Sequence, residues 1–171
     1  SVAGGSLDGM TGPARDRLRA DHLGVIFQMF NLVPYLSLLQ NVTLPCRFSK
    51  ERLKAVRDAG GPDAEAERLL SGLGLKGEDI LNRRVTDLSV GQQQRVAAAR
   101  ALIGKPSLIN ADEPTSALDA DTRDRFIELL SEEAEQSGAA MLFVSHDSAL
   151  APLFDRAVDL SEINGAGAGA A

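Results

Sequence analysis

The sequence contains one cysteine, no apolar run long enough to span a bilayer, and no excess of basic side chains. Because Cys46 is the only cysteine, an internal disulfide is excluded. With no neighbouring histidine or second cysteine, it is interpreted as a small hydrophobe rather than as a nucleophile or metal ligand. A transmembrane helix needs about 20 consecutive apolar residues, so any role at a membrane has to come through partner subunits. The formal net charge is −6, which argues against a protein that binds nucleic acid by itself.

The beginning of the chain carries no signal-peptide pattern, because it has neither a basic head nor an apolar run. It also does not begin with Met, so the chain is either a processed protein or a fragment. Its 171 residues, of which 44% are hydrophobic, are enough for one compact domain with a core. We therefore treat the chain as a single domain.

Short apolar runs alternate with segments of helical pattern along the chain. Strands are predicted at residues 23–27, 108–111 and 140–144, with a last short one at 157–160. Helices are predicted at residues 15–22, 38–58 with an interruption near Pro45, 63–73, 91–103 and 121–136. Strands separated by helices predict an α/β fold whose parallel sheet is covered on both faces. Residues 1–30 and 101–164 would form this core, 31–100 an inserted helical subdomain, and 165–171 a disordered tail.

An acidic pair follows the predicted strand at residues 108–111, in the run DEPTSALD at residues 112–119. Ligands of open α/β sheets bind at the carboxyl ends of the strands. Asp112 suits Mg²⁺, which prefers carboxylate and phosphate oxygens, and Glu113 suits the orientation or deprotonation of an attacking water. Taken alone, the pair is more typical of the start of a solvated loop, because acidic pairs after strands are common.

The run LSVGQ at residues 88–92 opens the Ala-rich helix predicted at residues 91–103. A helix N-terminus presents free N–H groups and favours phosphate. Ser89 adds a hydroxyl, and Gly91 allows close approach of the backbone. The alternative is that Ser89 is an ordinary helix cap.

These signals, in this order, resemble the ATP-binding subunits of ABC transporters. LSVGQ resembles the ABC signature LSGGQ, the strand with Asp112 and Glu113 resembles Walker B, and SALD at residues 116–119 resembles the D-loop. VSHD at residues 144–147 resembles the switch-histidine loop, and Phe27 with Gln28 resembles the Q-loop. FQMFNL at residues 27–32, NV at 41–42 and EPTSALD at 113–119 are most similar to bacterial ATPases of the lipoprotein-releasing and macrolide-exporting group.

The resemblance implies a P-loop NTPase-type core and roles in ATP hydrolysis. Asp112 and Gln28 would hold Mg²⁺, Glu113 would be the catalytic base, and His146 would sense the γ-phosphate. Gln28 would also contact the attacking water and link the site to the membrane subunits. The alternatives from the residues alone are that His146 is a loop histidine with its own partners and that Gln28 is a surface amide.

The resemblance also implies an assembly on the inner face of the plasma membrane, in the cytoplasm, with transmembrane permease subunits. Two ATP-binding subunits would meet head to tail. Ser89, Gly91 and Gln92 would then close over the nucleotide held by the other subunit, and Asp119 would cross the interface or, alternatively, cap a helix. An apolar cluster after Gln28, which includes Phe30 and Tyr35, would receive a coupling helix from a permease or would pack in the core.

The sequence departs from the family at its beginning, because no phosphate-binding loop of the form G-x-x-x-x-G-K-S/T is present. The nearest match, GGSLDGMT at residues 4–11, has Met10 in the lysine position and no apolar strand before it. We therefore expect the N-terminal part of the domain to be absent, and this chain to bind ATP weakly and not to hydrolyse it. Val90 also replaces a signature glycine. Two alternatives to a transporter subunit remain for the function of the chain: a non-catalytic remnant of such a subunit, and a soluble ABC ATPase of DNA repair or translation.

Overall fold

A computed structural model describes residues 9–77, 81, 83–116 and 118–160, so the predicted tail at 165–171 lies outside the described residues. Three parallel strands form the sheet in the order β1 (Leu23–Ile26), β2 (Leu108–Asp112) and β3 (Ala140–Val144). Ile26 lies beside Ala111, and Asp112 lies beside Val144. The predicted α/β fold with a parallel sheet is confirmed, and the carboxyl ends of the strands meet at one edge.

The described part of the chain contains six α-helices. They are α1 (Gly12–His22), α2 (Leu38–Phe48), α3 (Lys50–Arg57), α4 (Pro62–Gly72), α5 (Val90–Leu102) and α6 (Ala120–Ser137). Polar side chains cap the starts of α2, α3, α5 and α6, as at Ser37, whose hydroxyl accepts the Gln40 N–H at 3.2 Å. Gly138 ends α6 with φ of 71°, a left-handed conformation that glycine adopts without strain. None of these helices is long and apolar enough to cross a bilayer.

Two expected features of the secondary structure are wrong. Pro45 does not interrupt the helix at residues 38–58; the break falls at Ser49, which ends α2 and caps α3. Pro45 removes only one helical hydrogen bond, and burial of Leu38, Val42 and Cys46 along the same helix outweighs that loss. The strand expected at residues 157–160 is also absent, because residues 156–159 have no regular structure and pair with no strand among the described residues.

Small residues let α5 lie directly against β1. A side chain at Gly24 would place its Cβ 2.3 Å from the carbonyl oxygen of Ala101, which is impossibly close. Ala97, Ala98 and Ala99 of α5 are fully buried, so this helix presents a nearly flat apolar face. Since α5 begins at the signature motif and β1 ends two residues before Gln28, this packing fixes two motif-bearing elements against each other.

The sheet was expected to be covered on both faces, and the described chain covers only one. Ile26, Ile109 and Ala111 point to the buried face. On the other face, Leu142 and Val144 retain 53% and 43% of their accessible surface. Asn110, in register between Val25 and Leu142, keeps a buried Oδ1 with no hydrogen-bond partner within the described structure. A covered parallel sheet is the rule, so this open face is a departure from the expected fold.

Candidate functional site

The ends of the three strands bring four motif residues to one edge of the sheet. Gln28 follows β1 in an exposed turn, and Asp112 is the exposed last residue of β2. Glu113 follows directly, and His146 lies just beyond β3. The parallel register places all of these residues at the same edge. Ser89, Gly91 and Gln92 lie at the start of α5 instead, and Asp119 at the start of α6.

Glu113 and His146 are joined directly. Oε1 of Glu113 lies 2.7 Å from Nδ1 of His146 and accepts the backbone N–H of His146 at 2.9 Å. The backbone of Glu113 has φ of 46°, a left-handed conformation that non-glycine residues rarely adopt, and its N–H donates to the Val144 carbonyl at 3.0 Å. This backbone turns the carboxylate towards β3. Unusual backbone of this kind occurs often at functional sites.

The carboxylate also sets the charge of the imidazole. The hydrogen bond to Glu113 raises the pKa of His146 above its usual value, and the charge of Glu113 adds to the effect. The side chain of His146 keeps 80% of its accessible surface, whereas that of Glu113 keeps 21%. The ring is therefore anchored at Nδ1 on one side and open to solvent on the other.

We expect the Glu113→Gln substitution to lower the pKa of His146, because the amide removes the negative charge that favours the imidazolium. The ion pair forms below the raised pKa of His146 and is lost as the pH rises through that pKa. NMR titration of the ring protons measures the change. His22, hydrogen-bonded to Ser107 at the opposite end of the strands, supplies the reference signal. An unchanged pKa of His146 in the variant would show that Glu113 does not control it.

The signature motif forms a complete helix cap. The Gln92 N–H donates to Oγ of Ser89 at 3.3 Å, and the Ser89 N–H donates to Oε1 of Gln92 at 3.0 Å. Ser89 is thus a helix cap in the structure, as the alternative interpretation of the sequence predicted. A hydroxyl that accepts a hydrogen bond still has its own O–H to donate, so the cap and a phosphate contact are compatible. A Cβ added at Gly91 would lie 3.9 Å from the Leu118 side chain, which places the helix start beside the D-loop of the same chain.

Asp119 is also a helix cap in this structure. Its carboxylate accepts the Thr122 N–H at 3.0 Å and the Thr122 hydroxyl at 2.9 Å. The backbone hydrogen bond from Thr122 lowers the pKa of Asp119, which stays ionised. Asp119 is exposed at the helix start, so a second chain can reach it.

One contact of the site has no signal in the sequence. Arg123 of α6 forms an ion pair with Asp147, the residue after His146. Asp147 in turn caps the short 3-10 turn that follows, where its Oδ1 accepts the Ala149 N–H at 3.0 Å. The helix that begins at the D-loop is thereby attached to the loop that carries His146. A pairing across 24 positions of sequence has no local pattern to reveal it.

Comparisons with known proteins agree with the motif order. A family model described as "ABC transporter" matches residues 4–116. The lipoprotein-releasing system ATP-binding protein LolD of Novosphingobium aromaticivorans is 40% identical over 161 residues, which are 94% of this chain and 68% of the relative. The uncharacterized ABC transporter ATP-binding protein YbbA of Escherichia coli K12 is 40% identical over 165 residues, 96% of this chain and 68% of the relative. The resemblance to the lipoprotein-releasing group is confirmed.

A solved structure is similar as well. It is the dimeric, post-hydrolysis structure of the ATP-binding cassette MJ0796 bound to ADP and Pi, from Methanocaldococcus jannaschii. Its TM-score is 0.67 at 36% sequence identity, and the match covers 83% of this chain and 60% of that one. The chain thus spans less than two thirds of the length of this structural relative, and about two thirds of the length of LolD and YbbA.

Proposed function

Because the chain belongs to the ABC transporter family, we propose that it is part of an ATP-binding subunit that couples ATP hydrolysis to transport by membrane subunits. One observation carries the proposal most directly: Glu113 and His146 are hydrogen-bonded at 2.7 Å on the sheet edge that also holds Asp112 and Gln28. An acid–base pair beside two oxygen ligands is the arrangement that hydrolysis of a nucleoside triphosphate requires.

Each side chain of the pair has a distinct task in this proposal. Glu113 orients an attacking water and takes its proton, because a carboxylate within hydrogen-bond reach serves as a general base. His146, anchored at Nδ1, presents Nε2 to the nucleotide. The raised pKa of His146 favours the imidazolium, whose Nε2–H donates to a γ-phosphate oxygen. The contact with Glu113 therefore orients the histidine and favours its protonated form.

The residues around Asp112 suit a magnesium ion that arrives with the nucleotide. Asp112 offers a carboxylate and Gln28 an amide oxygen, both hard ligands that Mg²⁺ prefers. The described residues contain no group of three or more histidine, cysteine and acidic side chains that could hold a metal. With only Asp112 and Gln28 as protein ligands, the remaining coordination positions of the ion would be filled by phosphate oxygens and water. The bound ion would neutralise charge on the phosphates.

We propose that the signature residues act on the nucleotide of a second copy. Ser89 and the first N–H groups of α5 form a helix start that suits an anion. They belong to a different element from Glu113 and Asp112, so a head-to-tail pair of chains places the helix start of one copy over the acids of the other. The similar MJ0796 cassette is dimeric, which supports the pairing of two copies. Gly91 leaves room for a phosphate, and Asp119 is exposed for contact across the interface.

The surface after Gln28 is proposed to contact a permease on the cytoplasmic side of the plasma membrane. Phe30 is buried in the core, so the core-packing alternative holds for that residue. Met29 and Tyr35 instead keep 81% and 86% of their accessible surface, and Phe48 is also exposed. Large apolar side chains with this much exposed surface are candidates for contact with a partner protein. A short amphipathic helix of a membrane subunit would cover them.

Nucleotide assays on the purified 171-residue chain test the proposal. We expect weak ATP binding and no phosphate release above background, because the 171-residue sequence contains no G-x-x-x-x-G-K-S/T loop to hold the β- and γ-phosphates. A chimera in which the strand, phosphate-binding loop and helix of a family member precede Ser1 should hydrolyse ATP. Hydrolysis by the unfused chain would contradict the expected inactivity. An inactive but folded chimera would contradict the proposed function.

A further inference from the structure

We propose that Arg100 is a positioning residue, which fixes the loop that carries Gln28 to the helix that begins at the signature motif. Arg100 lies in the last turn of α5, whose first turn follows Ser89. Gln28 lies in the loop after β1. The role of Gln28 rests on the function proposed above, whereas the contacts of Arg100 exist without a nucleotide.

The loop has a backbone that needs external support. Phe30 and Asn31 have φ of 58° and 48°, in the left-handed region that residues with side chains rarely occupy. Within the loop, the Phe30 N–H donates to the Phe27 carbonyl at 2.9 Å and the Asn31 N–H to the Met29 carbonyl at 2.6 Å. Two consecutive residues in this conformation persist only where the surrounding structure holds them.

Arg100 supplies that support with a two-pronged contact. Its Nη2 donates to the Phe30 carbonyl at 2.6 Å, and its Nη1 donates to the Asn31 carbonyl at 2.7 Å. These are the carbonyls of the two left-handed residues. The planar guanidinium bonds both at once, which a lysine ammonium does less well. Burial lowers the pKa of Arg100, so the guanidinium is partly withdrawn from water and depends on these two carbonyls.

Asn41 holds the other end of the loop. This fully buried residue of α2 accepts the Val33 N–H at 2.7 Å and donates to the carbonyls of Val33 and Ser37 at 3.0 and 3.1 Å. The loop is therefore attached to α2 at one point and to α5 at another. Gln28 lies just before the residues that Arg100 holds. A displacement of α5 is then passed directly to the backbone next to Gln28.

Amide hydrogen exchange of the 171-residue chain, followed residue by residue with NMR, tests this role. In Arg100→Met, the amides of Phe30 and Asn31 should exchange faster by about tenfold or more, because the carbonyls that fix their backbone lose a charged donor. Exchange in β2 should not change. Arg100→Lys should recover part of the protection. The matched control is Arg125→Met, at an exposed position of α6, and it should leave the loop unchanged.

Two results would overturn the proposal. One is unchanged exchange at Phe30 and Asn31 in Arg100→Met. The other is an equal acceleration throughout the loop and β2, which would mean that Arg100 contributes only to general stability. If Arg100→Met does not fold, the proposal is tested with Arg100→Lys. Faster exchange confined to the amides of Phe30 and Asn31 in that variant supports the proposal, and unchanged exchange refutes it. None of these measurements depends on ATP binding, so a failure of this proposal is distinguishable from a failure of the proposed function.

Discussion

Replacement of Arg52 by methionine is expected to lower the free energy of unfolding by about 3 kcal/mol or more. Arg52 is 2% exposed, and its guanidinium donates to four backbone carbonyls. They belong to Ala20 at 2.8 Å, Leu23 at 2.8 Å, Ala101 at 3.3 Å and Ile103 at 2.8 Å. Methionine fills a similar volume but offers no donor, so carbonyls in the interior are left without a partner.

The position of those carbonyls explains why the loss is large. Ala20 and Leu23 lie where α1 passes into β1, and Ala101 and Ile103 lie at the end of α5. One side chain of α3 thus joins three elements of the fold. Burial lowers the pKa of Arg52, and the negative charge of Asp21 opposes that effect. Gly104 leaves room for the side chain, because a Cβ there would lie 2.5 Å from Cβ of Arg52.

Urea unfolding followed by circular dichroism measures the change. Arg52→Lys should fall between the two proteins, since an ammonium reaches some of the carbonyls but not all four. Arg125→Met is the control for loss of an exposed arginine, with an expected effect within about 0.5 kcal/mol. If Arg52→Met unfolds at the wild-type urea concentration, the four hydrogen bonds do not stabilise the fold as described.

The second large effect concerns Glu113. In the chimera that carries a phosphate-binding loop, Glu113→Gln should reduce ATP hydrolysis by about a hundredfold or more and leave ATP affinity nearly unchanged. The amide can accept the His146 N–H as the carboxylate does, but it cannot take a proton from water. Geometry is therefore kept while the base is lost.

Phosphate release and nucleotide binding are measured on the same preparation. Glu128→Gln, at an exposed position of α6, is the matched control and should keep full activity. Loss of binding together with hydrolysis would mean that Glu113 acts mainly on the structure of the site. Hydrolysis close to the wild-type rate would exclude Glu113 as the base.

The sheet and its functional edge follow from local features of the sequence. Three short apolar runs, each followed by polar residues, are enough to predict parallel strands whose carboxyl ends meet. That prediction places Gln28, Asp112 and His146 together without knowledge of any contact. Helix starts are also local, because Ser37 and Ser89 form capping boxes with glutamines three positions later.

Contacts between distant residues could not be predicted in this way. The hydrogen bond from His146 to Glu113 joins positions 33 residues apart and depends on the left-handed backbone at Glu113. Arg52 and Arg100 look like ordinary charged residues of surface helices in the sequence, yet both bond backbone carbonyls that tertiary packing brings to them. The prediction of a strand at residues 157–160 was wrong because it rested on apolar composition alone, and a strand also needs a neighbouring strand to pair with.

The shared pocket is tested most directly by mixing two inactive variants of the chimera. Ser89→Arg blocks the helix start, and Glu113→Gln removes the base. If each pocket combines the acids of one copy with the helix start of the other, a mixed dimer retains one intact pocket. The mixture should then release phosphate at about a quarter of the wild-type rate, assuming random pairing and independent pockets. A mixture no more active than its separate components would contradict the head-to-tail arrangement.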